Sequence, residues 1–461
     1  MKIGLLPLGR PTFDVPYAEQ NLAGMLNVLD KCGHELVGSR LLLLDTKAVQ
    51  QAVESLQSQA IDYLMILQVT FTDASAIVDA ASNLQVPLGI WAIPEPRLGQ
   101  RLRLNAFCGL NLASHALGLN NQSFSWLYKA PDQINPDEVE ILLSEDSETI
   151  KMDASPSDHY ASDEGAKIAA KVKGKRIGRI GEHPEGFHTC AYSAKAMEKL
   201  TGVSVDELEL SDLFDAASTV TENEVDEVNN TARSDVKGLE DVNAFELLKS
   251  LRLKAALDNI RKKGSYDAFA IRCWPETFTQ YGGAVCGPVS MMGEEKIPCA
   301  CEADVYGALT QLILQETAEA SVFLTDLVDM DGKDNTGVVW HCGQAPISMR
   351  HPDITARATI HTNRKMPLLY EFPLKPGKVT LMRISQAFGE TKMILAGADM
   401  LDRPMAFTGT SGVIRFERDA SQVLDDLIAS GAEHHMALVY GEYRPQLRSV
   451  AASMNLPILE L

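Results

Sequence analysis

The chain has 461 residues, more than one hydrophobic core usually supports, so two to four structural units are expected. Hydrophobic residues make up 45% and charged residues 23%, ordinary globular usage that excludes wholesale disorder. With 42 Lys and Arg against 62 Asp and Glu, the net charge of −20 repels phosphate backbones and anionic lipid, which excludes nucleic acid and membrane surfaces as natural partners.

The first ten residues place Lys2 ahead of an apolar run, but Pro7, Gly9 and Arg10 soon break it. This reads as a first strand rather than a secretory leader. No window reaches the ~18 uninterrupted apolar residues of a membrane span. Apolar runs at 3–8, 35–39, 63–69 and 87–93 alternate with amphipathic stretches at 17–32 and 46–59. That rhythm predicts buried parallel strands covered by helices, an open α/β sheet in a first unit over 1–172. From 133 to 172 the pattern weakens into an acidic, serine-containing stretch, expected to be an exposed connection.

A fresh strand at 175–181 opens a second α/β unit over 173–317. Gly174, Gly178 and Gly181 bracket that strand instead of a loop leading into a helix, so they do not make a phosphate cradle. A G-x-S-x-G nucleophile elbow is absent. The acidic stretch 219–245 reads as solvated helix and loop. Near the end of the unit, Cys-Ala-Cys-Glu302-Ala-Asp304 precedes a helical pattern at 303–315. This puts Glu302 at a strand-to-helix junction, where α/β sheets place ligands. Cys299 and Cys301 lack the spacing, and the second pair, of a zinc site.

Beyond 317 the texture changes to short β-like runs at 337–340, 378–384, 392–396 and 412–416, punctuated by Gly and Pro. A β-rich, barrel-like third unit over 318–461 is expected, making the whole an α/β protein of two consecutive open, parallel, Rossmann-like domains and a β-rich C-terminal domain. Asp326 emerges from one apolar run, His341 from another, and His434 and His435 stand just ahead of a third.

Singly these residues have ordinary readings. Glu302 suits the positive end of a helix dipole, Asp326 a turn, and His341 a satisfied core imidazole. Together, carboxylate oxygens and imidazole nitrogen suit a borderline-hard divalent ion with open positions, such as Mn²⁺, with Co²⁺ or Mg²⁺ as alternatives. The eight cysteines are scattered without a disulfide framework, as expected of reduced thiols in a cytoplasmic protein.

These residues resemble the L-fucose/L-arabinose isomerases, in the fucose-isomerase-like branch. The resemblance rests on Cys-Glu302-Ala-Asp-Val-Tyr-Gly and Phe-Leu-Thr-Asp326, 24 residues apart, on Val-Val-Trp-His341-Cys-Gly-Gln-Ala-Pro, and on Gly-Ala-Glu-His-His435. It extends more weakly to Gly9-Arg10-Pro-Thr-Phe-Asp14 and Ile90-Trp91-Ala. It implies an aldose–ketose isomerase of monosaccharides that works through a metal-chelated cis-enediolate. Glu302 and Asp326 would be metal ligands and the acid/base pair, and His435 the third ligand. His434 would replace His435 if the register is off by one, and otherwise contact the sugar. His341 would be a further ligand or would orient one. Arg10, Trp91, Trp274 and Glu276 become candidate sugar contacts, and a homo-oligomer, hexameric or trimer-based, is implied. Two rival readings are a non-catalytic sugar-binding protein and a metallohydrolase using the same ligands.

Overall fold

The computed structural model describes residues 1–144 and 149–461, so 145–148 of the acidic connection lie outside the described residues. The first five strands are β1 (Lys2–Leu8), β2 (Glu35–Gly38), β3 (Tyr63–Gln68), β4 (Leu88–Ala92) and β5 (Ser125–Tyr128). They form a parallel sheet in the order β2-β1-β3-β4-β5. β3 and β4 are buried at every position. With helices on both faces such strands need continuous apolar runs, not alternation. The strand order reverses between β1 and β3, and the chain leaves β1 there through Gly9 and Arg10, at the edge where α/β folds place ligands. Part of the expected connection is helical, at Pro136–Leu142 and Asp163–Val172. It is also anchored, because Ser155 pairs with Ile458 near the other end of the chain.

The second sheet is parallel as well. Its strands β6 (Arg176–Ile180), β7 (Ser204–Leu208), β8 (Ala268–Ile271) and β9 (Cys299–Ala300) lie in the order β7-β6-β8-β9. The acidic stretch forms a helix, Glu222–Asp235, opened by a capping box between Thr221 and Glu224, with three buried residues on its inner face.

The last strands are β10 (Phe323–Asp331), β11 (Thr336–His341), β12 (Arg357–Thr359), β13 (Leu369–Pro373), β14 (Gly377–Ser385), β15 (Lys392–Met400), β16 (Thr410–Phe416), β17 (His435–Tyr440) and β18 (Ile458–Glu460). A pairing of β15 with β16 closes the ring β16-β11-β10-β17-β14-β15, a six-stranded antiparallel barrel. Closure leaves no free edge within the ring. Two helices, Ala420–Ser430 and Arg444–Ser453, accompany the barrel and have no counterpart in the β-rich sequence reading. The helix Val305–Ala318 is buried from Val305 through Leu314, packed against β8 on one side and β14 and β17 on the other. It therefore fixes the residues at its N-terminus, Glu302 and Asp304, against the barrel. Among the described residues no helix is long and apolar enough to cross a membrane, and all eight cysteines are free.

Candidate active site

A cleft of about 110 Å³ opens where the three sheets meet, lined by Arg10, Asn105, Trp274, Glu302, Asp326, His341, Arg364 and His434 among others. A larger cavity of about 700 Å³ lies beside β1 in the first unit, between helices Thr46–Gln57 and Ser75–Leu84. It brings no carboxylates and imidazoles to one point, and the chemistry belongs to the smaller cleft.

Glu302 follows β9 in a left-handed conformation (φ 58°, ψ 24°), and Ala303 after it is left-handed too (φ 54°). Each such non-glycine residue costs about 1–3 kcal/mol, a strain typical of functional sites. The double turn frees Asp304 to cap the helix, accepting from Gly307 N–H at 2.8 Å, while Glu302 stands in the cleft. Trp274 Nε1–H donates to Glu302 Oε1 at 2.9 Å, and His434 Nε2 lies 3.0 Å from Oε2. Burial pushes the Glu302 pKa up, but the His434 bond and charge, then His435 and Trp274, outweigh it and hold the carboxyl ionised. Burial likewise opposes charge on His434, and Glu302 reverses the balance, so His434 is shifted upward.

Asp326 reaches the same point from β10, where it pairs directly with His435 of β17. His435 Nε2 is 3.5 Å from Asp326 Oδ1 and 3.8 Å from Glu302 Oε2. Its other nitrogen, Nδ1, sits 2.9 Å from Asp304 Oδ2. Asp304 is fully buried and also receives Arg383 Nη1 and Nη2 at 2.5 and 3.1 Å. Burial raises the Asp304 pKa, yet the Arg383 charge and His435 hold it well below the usual carboxylate range. An ionised Asp304 can only accept, so His435 Nδ1 carries the proton and Nε2 presents its lone pair. Burial, then the neighbouring His434, push the His435 pKa down and keep the ring neutral.

His435 Nε2 thus lies near both carboxylates, within two overlapping groups whose ligand atoms lie within 4.8 Å of one another, Glu302–His434–His435 and Asp326–His341–His435, and Asp326 Oδ1 has no hydrogen-bond partner among the described residues. Such an arrangement fits a cation. The Arg383–Asp304–His435 chain has the form of the carboxylate–histidine support found behind metal-binding imidazoles. His341 differs. Its Nδ1 accepts the Cys342 backbone N–H at 2.9 Å, which leaves the proton on Nε2, buried and unpartnered among the described residues. In this tautomer His341 offers the cleft a donor, and a ring nitrogen also lies within 4.8 Å of ligand atoms of Asp326 and His435, where a further ligand would stand.

Of the sugar-contact candidates, Arg10 and Trp274 line the cleft. Trp91 does not. It is fully buried in the core of the first unit with its indole N–H on Lys129 O at 2.9 Å, because β4 is covered on both faces. Glu276 is held by Arg272 at 2.6 and 2.8 Å and does not line the cleft. Sequence reasoning missed Asp304, Arg383 and Arg364. Arg383 carried the signal that exposed Asp326, a charge inside an apolar strand.

Comparison with known proteins places the chain in a family. The profile of the fucose/sulfoquinovose isomerase N-terminal domain matches residues 4–145. The sulfoquinovose isomerase of Alkalicoccus urumqiensis is 30% identical over 401 residues, 87% of this chain and 86% of that protein. The chain belongs to the fucose/sulfoquinovose isomerase family. The sulfoquinovose isomerases of Priestia aryabhattai and Clostridium sp. (strain MSTE9) are 28% and 27% identical, covering 98% and 99% of this chain and 97% and 98% of their own lengths. As a member of the family the chain is an aldose–ketose isomerase of monosaccharides, and the sugar-binding and hydrolase readings fall away.

Proposed function

We propose that the chain is a divalent-metal-dependent isomerase of a sulfonated aldose, of the sulfoquinovose type, and that Glu302, Asp326 and His435 hold the ion, Mn²⁺ being the best-matched choice. The observation that carries the metal is a neutral imidazole nitrogen of His435 with a carboxylate oxygen of Asp326 at 3.5 Å and one of Glu302 at 3.8 Å. When bound, the ion supplies Lewis-acid stabilisation of the negative charge that develops on the sugar's O1 and O2.

The protein's own groups move the protons. Isomerisation takes a C–H proton from C2, returns one to C1, and moves the hydroxyl proton of O2 to O1. Asp326 Oδ1, without a hydrogen-bond partner among the described residues, is the acceptor for the first transfer. Glu302, kept ionised by His434 and Trp274, serves the hydroxyl side. General acid–base help of this kind supplies about 10²–10⁴-fold. His341 Nε2–H is a donor to a substrate oxygen, and His434, its pKa shifted upward by Glu302 against the effect of burial, completes the wall.

The sulfonate finds support at the cleft mouth. Arg10 and Arg364 flank Trp274, their guanidinium carbons 5.7 and 5.2 Å from its ring centroid. Arg10 has a carboxylate partner, Asp73 at 2.6 Å. Arg364 has none among the described residues, and burial followed by the Arg10 charge pushes its pKa down. An anion placed there relieves that repulsion, and guanidinium groups match the oxygens of a tetrahedral anion. A neutral aldose leaves the Arg364 charge unanswered. The test is ketose formation by the Mn²⁺-loaded protein from sulfoquinovose set against L-fucose, L-arabinose and D-glucose. Preferred turnover of the sulfonated sugar supports the proposal, and turnover restricted to neutral sugars overturns it. A cytoplasmic homo-oligomer, hexameric or trimer-based, accompanies this reading.

A further inference from the structure

Five thiols line the cleft: Cys108, Cys273, Cys286, Cys301 and Cys342. Proton transfer has no need of them, and soft sulfur is a poor partner for a hard divalent ion. Two are in contact. Cys286 begins the helix Cys286–Glu294, Cys342 follows β11 directly, and their Sγ atoms are 3.5 Å apart. Gln344 Nε2 lies 3.5 Å from Cys342 Sγ and 3.4 Å from Cys301 Sγ, and His341 Nδ1 lies 3.3 Å from Cys342 Sγ.

We propose that Cys286 and Cys342 are a site of reversible oxidation inside the cleft, taking hydrogen peroxide as oxidant and closing to a disulfide that stops isomerisation. Cys342 is the more accessible, 8% exposed against 2% for Cys286, so it meets the oxidant first. A peroxide molecule, little larger than the ~30 Å³ share of a water, enters a cleft of about 110 Å³. Cys342 sulfur attacks one peroxide oxygen, the O–O bond breaks, and hydroxide leaves with the thiol proton as water, giving a sulfenic acid. Cys286 sulfur then attacks Cys342 sulfur, the S–O bond breaks, and a second water leaves with the Cys286 proton. Two thiols lose two electrons and one peroxide becomes two waters. The sulfurs must close by ~1.5 Å to reach disulfide length. That movement draws on Cys342, whose backbone N–H fixes the tautomer of His341. The catalytic consequence rests on the proposed function, whereas the cross-link does not.

The experiment treats the metal-loaded full chain with hydrogen peroxide, quenches in acid, alkylates, and maps peptides while sampling activity. The expected result is a Cys286–Cys342 linked peptide two hydrogens lighter than its parts, activity falling in step with it, and both reversed by dithiothreitol. In Cys286→Ala, measured against its own untreated activity, peroxide loss is expected to resist dithiothreitol, because Cys342 without a resolving thiol proceeds to the sulfinic acid. No link at these positions, or a Cys273–Cys301 link in its place, overturns the site. A link formed without loss of activity overturns its control of the reaction. If no sugar is turned over at all, the peptide map still decides the site while the functional reading fails separately.

Discussion

Asp326 on β10 lies directly opposite His435 on β17 in the antiparallel ladder, its Oδ1 3.5 Å from the imidazole Nε2. The barrel register thus sets two of the proposed ligands side by side, and the buried helix Val305–Ala318 brings the third from another sheet. A one-residue slip of β17 would turn His435 to the opposite face.

Glu302→Gln is expected to lower turnover by at least ~10³-fold, because it removes a proposed ligand and a proton carrier together. The amide keeps an acceptor for Trp274, so unfolding free energy is expected to change by no more than ~1 kcal/mol. Steady-state kinetics and urea melts on the same preparation check both halves. Retained turnover in a folded mutant would remove Glu302 from the chemistry.

Asp304→Asn acts at one remove. It takes away the charge that fixes the His435 tautomer and is expected to weaken Mn²⁺ binding by about 10–100-fold. It also leaves Arg383, fully buried, with only Glu433 at 3.7 Å to answer its charge, a loss of up to about 3–5 kcal/mol. Metal titration by calorimetry and denaturant melts read the two effects.

Arg364→Ala is expected to cost kcat/KM for the sulfonated aldose about 10–100-fold, the value of a hydrogen bond to a charged group. Activity on any neutral aldose that is turned over is expected to hold or rise. Equal losses on both kinds of sugar would assign Arg364 to packing instead.

Glu95 predicts a pH signature. Burial raises its pKa to about 7 despite bonds from the backbone N–H groups of Asn105, Arg103 and Leu104. The folded state then holds this proton more tightly than the unfolded chain, whose ordinary value is 4.5. The stabilisation is fully present below that ordinary value and is lost as pH rises through 7, about 3 kcal/mol in all. Urea melts between pH 4.5 and 8 are expected to show this decline, flattened in Glu95→Gln. An unchanged slope in the mutant would contradict it.

Much of the site was legible because a charged or polar residue inside an apolar run must be satisfied or used. That rule found Glu302, Asp326, His341 and the His434–His435 pair. It should have found Arg383, a charge within the apolar run of β14, and with it the partner Asp304. Arg364 escaped because a charge in a polar, strand-free segment carries no such contradiction; only the fold sets it beside Trp274. Trp91 misled because an aromatic in a parallel strand fits a core as well as a site, and burial on both faces of β4 decided for the core. The α/β rhythm of the first two sheets follows from local periodicity. Barrel closure through β15 and β16 is a long-range pairing that no local window contains.

The most direct measurement is anomalous diffraction at the manganese edge from crystals of the full chain soaked in Mn²⁺. A single peak is expected about 2.0–2.4 Å from a Glu302 oxygen, an Asp326 oxygen and His435 Nε2. A peak held elsewhere, such as by Cys190 and Asp304, or no peak at a saturating concentration, would contradict the proposed metal site.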